Sequence, residues 1–232
     1  MRRGLVRSRS EAQHLIESGK VAVAGVDRPK PASHVTPDTA IEMAAAETFA
    51  SRAGEKLAAA LEAFGIAVDG KLAVDAGAAA GGFTDCLLRR GAAHVVAVDV
   101  GHDQLRPELR RDSRVTVLEG VNITTAFAGP LGGPFDVVVA DLAFVSLCAV
   151  APALAGLAKP GADVIVLVKP QFEVGRAMIG RGVVRDPATR QAAVDAVSRC
   201  FQAVGLDTLR VMAAPLTGER GNQEYLLWAG KA

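Results

Sequence analysis

A glycine-rich loop is the clearest candidate for chemistry in this sequence. An apolar run carries Asp75 near its end and is followed by Gly77, and Gly81 and Gly82 open the next helical stretch. Glycine after a buried strand lets the backbone turn sharply and approach a ligand closely, and the start of a helix offers free N–H groups to an anion. The loop therefore predicts a nucleotide-like ligand; the alternative is a glycine turn that serves only close packing of helix on strand.

A second acidic residue lies at the spacing that such a ligand requires. Asp99 ends the second strand, 24 residues after Asp75, near the distance at which an acid reaches the ribose hydroxyls of a bound nucleotide. The pattern G-x-x-x-G-G, with an acid on the preceding strand, differs from a dinucleotide fingerprint and resembles the loop of S-adenosylmethionine-dependent methyltransferases. The predicted cofactor-binding residues are Asp75, Gly77, Gly81, Gly82, Phe83, Asp99, Asn122, Asp141 and Leu142.

Charged residues also follow two later apolar runs. Asp141 comes directly after FDVVVA, and Lys169 comes directly after VIVLV. Ligands bind at the carboxyl ends of the strands in open α/β sheets, so both residues are candidates for the reaction itself. The alternative is that each is simply the first solvated residue beyond its strand.

The elements that must position these residues alternate between strand and helix. Near-continuous Val, Ile and Leu runs separated by helices predict a parallel sheet covered on both faces. Intervening helices are expected around Asp103–Arg111 and Ser146–Lys159, and a last helix over Ala188–Val204. The two runs after it have a glycine-containing connection and no helix between them, which predicts an antiparallel final pair.

The first part of the chain has a different character. Residues 1–30 hold seven Arg and Lys side chains against three acidic ones, although the whole chain is only +1. Such a basic end favours a polyanionic partner, or it is a solvated arginine cluster that aids solubility. A short helix, the strand VAVAG and a proline-containing linker over 27–48 are expected, with a small domain at residues 1–46 and a larger one at residues 47–232.

Composition and residue usage exclude several classes of protein. The chain of 232 residues is 50% hydrophobic and 22% charged, which is ordinary globular usage. Cys86, Cys148 and Cys200 are far apart and form no C-x-x-C, so no disulfide framework or thiolate zinc cluster is expected, and the reducing cytoplasm is the expected compartment. No signal peptide, membrane span or histidine metal site is predicted.

Five ordered motifs carry a family resemblance over nearly the whole chain. They are SRAGEKL, VDAGAAAGGFTD, VVADLAFVSL, LVKPQFE and GNQEYLLW. In that order they resemble the TlyA family of ribosomal RNA 2′-O-methyltransferases, historically labelled haemolysins and related to the FtsJ class. The sequence departs from the family pattern at Ala79, Ala80 and Ala143, where hydroxyl side chains are more common.

The N-terminal stretch RGLVRSRSEAQHLIESGKVAVAG resembles most of an S4 RNA-binding domain. Relative to that domain, the leading part of the first helix is expected to be missing. The resemblance implies RNA contacts from Arg7, Arg9 and Lys20, and ribosomal RNA or a ribosomal subunit as partner.

The resemblance further implies a Lys-Asp-Lys-Glu active site at Lys56, Asp141, Lys169 and Glu224. A lysine becomes a base near neutral pH when burial and a second cation lower its pKa, and we assign that role to Lys169. Lys56 would supply the second cation, and Asp141 would orient the lysine beside the methyl donor. Glu224 would hold Lys56 or the ribose. From the residues alone, Lys56 and Glu224 also fit plain surface positions.

Three other functions remain open at the level of sequence. A small-molecule O-methyltransferase would keep the cofactor loop without needing the basic arm. A non-catalytic RNA-binding module would need no charged residues at strand ends. A membrane-lytic protein, which the historical label suggests, conflicts with the lack of a strongly amphipathic cationic segment.

Overall fold

The computed structural model describes residues 3, 5–6, 9–17, 21–43, 49–125, 128–175, 182–218 and 220–232. The chain divides into two compact units, Met1–Thr48 and Phe49–Ala232. Among the described helices, none is long and apolar enough to cross a membrane.

The N-terminal unit contains one helix and one pair of short strands. Its elements are α1 (Arg9–Glu17), β1 (Val21–Val23) and β2 (Ile41–Met43). β1 and β2 pair antiparallel, with Ala22 opposite Glu42. The expectation that 27–48 forms only a linker is therefore wrong, because three of its residues add a strand to β1, and a strand this short leaves little pattern in the sequence.

The C-terminal unit is built on a seven-stranded sheet. Its strands are β3 (Leu72–Ala76), β4 (His94–Asp99), β5 (Val115–Glu119), β6 (Phe135–Ala140), β7 (Ala158–Val168), β8 (Leu206–Ala213) and β9 (Tyr225–Lys231). The strand order is β5-β4-β3-β6-β7-β9-β8. The pairs among β3 to β7 are parallel, whereas β9 pairs antiparallel with both β7 and β8. The predicted parallel α/β sheet with an antiparallel end is thus confirmed.

Helices cover both faces of this sheet. They are α2 (Ala53–Phe64), α3 (Gly82–Arg89), α4 (Pro107–Arg110), α5 (Ala128–Leu131), α6 (Leu147–Leu157), α7 (Pro170–Glu173) and α8 (Pro187–Gln202). Val138 and Ala140 of β6 pack with the α6 and α8 side, and Val137 and Val139 pack with the α2 and α3 side. Because successive strand residues point to opposite faces, one apolar run supplies both cores.

Two predicted helices are shorter than expected. The helix expected from Asp103 begins at Pro107, because Asp103 has a left-handed backbone (φ +56°) that a helix cannot contain, and proline favours the first helical position. The helix expected to reach Lys159 ends at Leu157, since Ala158 already belongs to β7.

The cysteine expectation is also corrected. Cys148 of α6 and Cys200 of α8 form a disulfide, with Cα atoms 5.2 Å apart, and Cys86 is buried in the core outside this bond. The two cysteines are 52 residues apart in the sequence and meet only because α6 packs on α8. Spacing along the chain therefore held no signal for this pair.

Candidate active site

The sheet topology creates a crevice between β3 and β6. The strand order reverses at this point, because β3 pairs with β4 on one side and β6 on the other. Gly77 follows β3 and Asp141 follows β6, and the Asp141 backbone N–H donates to Ala76 O over 3.1 Å. Open α/β sheets bind ligands at such switch points.

Glycine is required in the loop after β3 for steric reasons. Gly77 has φ +83°, and a Cβ placed on it would lie 2.7 Å from the carbonyl oxygen of Asp141. Gly81 also has positive φ, at +93°. The loop is tied to β4, since the N–H groups of Gly77 and Ala78 both donate to Val98 O. Close approach of β6 and the turn of the loop both depend on the absent side chain.

The start of α2 packs directly against the start of α3. A Cβ on Gly54 would lie 2.7 Å from the carbonyl oxygen of Gly82. This contact explains the glycine in SRAGEKL, two residues before Lys56. It fixes α2 beside the glycine loop and so positions Lys56 at the same edge of the sheet.

Asp75 is a buried carboxylate with one unsatisfied oxygen. The residue is fully buried, and Thr84 Oγ1 donates to its Oδ2 over 2.7 Å, while Oδ1 has no hydrogen-bond partner. Burial raises the pKa of Asp75 to about 7; the Thr84 hydrogen bond opposes this shift, and the nearby Asp141 charge adds to it. A buried acceptor without a donor favours a cationic or hydrogen-bonding ligand there.

Asp99 organises the other side of the loop. Its Oδ2 accepts from the Ala79 N–H over 2.9 Å and its Oδ1 accepts from the Gly101 N–H over 2.7 Å. Each oxygen keeps a further lone pair for a ligand hydroxyl.

The four predicted catalytic residues form two ion pairs, one buried and one half-buried. Lys56 Nζ lies 2.5 Å from Glu224 Oε2, with side chains 8% and 4% exposed. Lys169 Nζ lies 2.7 Å from Asp141 Oδ1, as an ion pair without hydrogen-bond geometry. Lys56 lies in the first turn of α2 and Glu224 just before β9, while Asp141 follows β6 and Lys169 follows β7. In each pair the two residues are distant in sequence and meet at the carboxyl edge of the sheet.

The register of β7 and β9 joins the two pairs into one cluster. Val168 is opposite Tyr225 in this antiparallel pair. The next position outward places Lys169 beside Glu224, so Glu224 contacts Lys56 and neighbours Lys169. We call Lys56, Asp141, Lys169 and Glu224 the charged cluster.

An aromatic pair borders the charged cluster. Phe144 is 91% exposed and has a left-handed backbone (φ +65°), which a bulky residue rarely adopts. Its ring centroid is 5.3 Å from that of Phe172, and Lys169 Nζ is 6.0 Å from the Phe172 centroid. A large apolar ring that is exposed to solvent beside charged groups is suited to stacking against the planar ring of a ligand.

The remaining predicted cofactor residues have varied environments. The Phe83 ring is 2% exposed and packs in the core, so only its backbone is left for a ligand. Leu142 packs against the other core, beside Gly77. Asn122 follows β5, and its Oδ1 accepts from the N–H and hydroxyl of Thr124.

The predicted RNA-contact residues belong to the N-terminal unit. Arg9 lies at the start of α1 and is exposed. Arg7 and Lys20 lie outside the described residues. In the parts of the chain that the structure describes, no three His, Cys, Asp or Glu residues are arranged to hold a metal ion.

Sequence reasoning missed two polar residues beside the site. Asn222 is 2% exposed; its Oδ1 accepts from Val184 N–H and its Nδ2 donates to Gly182 O. Glu173 accepts hydrogen bonds at the start of α6, and burial raises its pKa although those bonds lower it. Asn222 lies within the motif GNQEYLLW and Glu173 within LVKPQFE, and membership of these motifs is the sequence feature that could have identified them.

Comparison with known proteins agrees with this geometry. The FtsJ-like methyltransferase family matches residues 49–231. The chain is 51% identical over 231 residues to the 16S/23S rRNA (cytidine-2′-O)-methyltransferase TlyA of Mycobacterium tuberculosis, covering 98% of this chain and 86% of that protein. It is 37% identical to Hemolysin A of Brachyspira hyodysenteriae, over 96% of this chain and 94% of that one. The structure of a hemolysin-like protein of Streptococcus thermophilus superposes with a TM-score of 0.79 at 34% identity, covering 100% of this chain and 86% of that chain.

Proposed function

The chain belongs to the FtsJ-like methyltransferase family, and from that premise we propose that it transfers a methyl group from S-adenosylmethionine to the ribose 2′-hydroxyl of a cytidine in ribosomal RNA. The observation that carries this proposal is the charged cluster beside the glycine loop. Two lysines and two acids meet there at one edge of the sheet, in the arrangement that a proton transfer next to a bound cofactor requires.

The residues around the crevice fit S-adenosylmethionine. The unpartnered Oδ1 of Asp75 would accept from the ammonium group of the cofactor, and Asp99 would accept from its ribose hydroxyls. Asp141 lies against Gly77, where β3 and β6 part, and would lie next to the reactive end of such a ligand. When bound, S-adenosylmethionine supplies an electrophilic methyl group on a sulfonium centre.

The charged cluster would act on the nucleophile. In its neutral amine form, Lys169 Nζ would take the proton of the ribose 2′-hydroxyl. The freed electron pair of that oxygen would form the bond to the methyl carbon as the bond from that carbon to the sulfur breaks, and the electron pair of the broken bond would stay on the sulfur. Asp141 holds Nζ in place at 2.7 Å, and Lys56 adds positive charge while Glu224 fixes its position. General base assistance of this kind contributes about 10²–10⁴-fold, and alignment contributes the rest.

The aromatic pair supports a nucleic acid rather than a small molecule as substrate. Single-stranded bases stack on exposed aromatic rings, and a stacked base is worth roughly 1–3 kcal/mol. Phe144 is exposed and contacts Phe172, whose ring lies beside Lys169, so Phe144 would receive the target base while the ribose reaches the charged cluster.

A direct test uses the purified chain, S-adenosylmethionine and deproteinised ribosomal RNA or isolated subunits. Mass spectrometry of nuclease digests should detect 2′-O-methylcytidine, at a phosphodiester bond that resists alkaline hydrolysis. Free cytidine serves as the control substrate and should remain unmethylated. Methylation of free cytidine at a comparable rate would instead support the small-molecule enzyme, and absence of cofactor binding would support the non-catalytic module.

Asp75 predicts how cofactor binding depends on pH. Its pKa of about 7 leaves the ligand-free carboxyl partly protonated at neutral pH, and a bound cation favours the ionised form. Affinity for S-adenosylmethionine should therefore rise with pH, by about tenfold between pH 6 and 8, as the ionised fraction grows from about a tenth to about nine-tenths. Calorimetry at several pH values measures this, with Asp75→Asn as the control that removes the rise. An equal rise in the variant would show that a protein group other than Asp75 is responsible for the titration.

We propose that the N-terminal unit is an S4-like element that binds ribosomal RNA through Arg7, Arg9 and Lys20. Its excess of positive charge supports this, as does the exposure of Arg9. Arg3 is already occupied, since its guanidinium donates to the carbonyl groups of Thr36, Pro37 and Thr39. We propose a cytoplasmic location on the ground of the RNA substrate, because the Cys148–Cys200 disulfide removes the argument from unpaired cysteines.

RNA binding by the N-terminal unit can be tested through its salt dependence. A triple variant, with Arg7, Arg9 and Lys20 changed to Ala, should bind an rRNA fragment less tightly, and each lost phosphate contact should reduce the logarithmic salt slope by about 0.7–0.9. Titrations at several salt concentrations measure the slope. An unchanged affinity for S-adenosylmethionine shows that the C-terminal unit is intact, and an unchanged circular dichroism spectrum checks the fold of the whole variant. An unchanged slope would show that these three residues of the N-terminal unit do not contribute to RNA recognition.

A further inference from the structure

Glu173 connects the two chain segments that carry the reacting groups. Its Oε1 accepts from the backbone N–H of Leu147 over 2.9 Å, and its Oε2 accepts from Ser146 Oγ over 2.6 Å. Ser146 and Leu147 lie where the segment after Asp141 enters α6. Glu173 itself lies at the end of α7, which begins directly after Lys169.

Helix α6 is well anchored without this carboxylate. Ser146 already caps it, because its Oγ accepts from the Cys148 N–H over 3.1 Å. The helix buries Val150 and Leu154 in the core, and the disulfide ties it to α8. The contact with Glu173 therefore matters less for α6 than for the segment that Glu173 carries.

Helix α7 depends far more on outside contacts. It is four residues long, and a single turn has almost no stability of its own. Within it, Phe172 N–H donates to Lys169 O and Val174 N–H donates to Pro170 O. Pro170 is buried at one end, and the Glu173 carboxylate holds the other end on the start of α6.

We propose that Glu173 is a positioning residue that fixes α7 on α6 and thereby holds Lys169 against Asp141. Three contacts then join the same two segments. They are the Asp141–Lys169 ion pair, the Phe144–Phe172 ring contact and the Glu173 hydrogen bonds to Ser146 and Leu147. This inference rests on the proposed function, in which Lys169 takes the proton of the ribose hydroxyl.

Two substitutions separate hydrogen bonding from charge. Glu173→Ala should lower kcat for rRNA methylation by about 10- to 100-fold, since a displacement near 1 Å costs about 10²-fold, with KM for RNA and affinity for S-adenosylmethionine nearly unchanged. Glu173→Gln should recover most of kcat. Its amide oxygen can accept from Leu147 N–H, and its amide N–H can donate to Ser146 Oγ.

Asp186→Ala is the matched control for helix capping. Asp186 also places a carboxylate at a helix start, where it accepts from the N–H of Thr189 over 2.8 Å and from its hydroxyl over 2.6 Å, and both of these hydrogen bonds go to its own helix, α8. This variant should lower Tm with kcat unchanged. A similar fall in kcat for Asp186→Ala would reduce the Glu173 effect to general stability and overturn the proposal.

Hydrogen exchange in the ligand-free protein gives a readout that does not depend on the substrate. In Glu173→Ala, the amides of Phe172 and Val174 should exchange faster, while those within α6 remain protected. Unchanged exchange in α7, or unchanged kcat, would overturn the positioning role. Failure of the proposed function would look different, because the wild-type chain would then not methylate rRNA at all.

Discussion

Replacing Lys169 with methionine is expected to lower kcat for rRNA methylation by about 10²–10⁴-fold, the usual contribution of a general base. The amino group of Lys169 is carried by a side chain that is only 15% exposed, and it is held 2.7 Å from Asp141. Methionine keeps the packing beside Phe172 and removes only the group that takes the proton. Affinity for S-adenosylmethionine should stay equal or rise slightly, because the charge of Asp141 is no longer neutralised. Single-turnover rates and calorimetry measure the two effects separately.

Lys159→Met is the matched control for this prediction. Lys159 is also paired with an aspartate, 2.8 Å from Asp136, but it lies at the start of β7, at the opposite edge of the sheet from Lys169. Its loss should leave kcat unchanged. A Lys169→Met enzyme that keeps more than about a tenth of the wild-type rate would show that another group removes the proton.

Breaking the Lys56–Glu224 pair should have the largest effect on stability. Both side chains are buried, so Lys56→Met or Glu224→Leu leaves one uncompensated charge in the interior, which costs about 3–5 kcal/mol of unfolding free energy. The double variant replaces the pair with two apolar side chains and should recover most of that loss. Methyl transfer should be lost in all three. Urea denaturation gives the free energies, and the double-mutant cycle gives the coupling between the two residues.

The Lys71–Asp163 pair provides the comparison on the surface. Its side chains are 33% and 19% exposed, so substituting Lys71 should change stability by no more than about 1 kcal/mol. If the double Lys56/Glu224 variant were as unstable as the sum of the single variants, the two residues would contribute independently.

The sequence predicted the sheet and half of the charged cluster for one physical reason. A strand buried on both faces is apolar throughout, so its end is marked by the first charge, as at Asp141 and Lys169. Lys56 and Glu224 gave no such mark, because 168 residues separate them and their contact depends on β9 inserting beside β7. The family resemblance supplied these two instead.

The features that the sequence did not predict depend on tertiary packing rather than on local pattern. The Cys148–Cys200 bond and the Glu173 contacts each join segments through tertiary packing, with partners that local pattern does not connect. β2 was missed because its pairing lies within a stretch whose prolines indicate a loop. Contacts of this kind are visible only once the elements have been placed in space.

The late position of β9 has a consequence for the order of synthesis. Lys56 leaves the ribosome before any strand of the seven-stranded sheet, whereas Glu224 leaves after β3 to β8 and just before β9. Although β9 is made last, it lies between β7 and β8 in the sheet. Domains generally fold as units during synthesis, and Lys56 and Glu224 belong to the same unit, so the growing chain carries Lys56 without its counter-charge until β9 has been made. A chain that ends before β9 would thus contain the whole cofactor loop but would lack β9 and a complete charged cluster. Catalysis would begin only when synthesis of the sheet is finished.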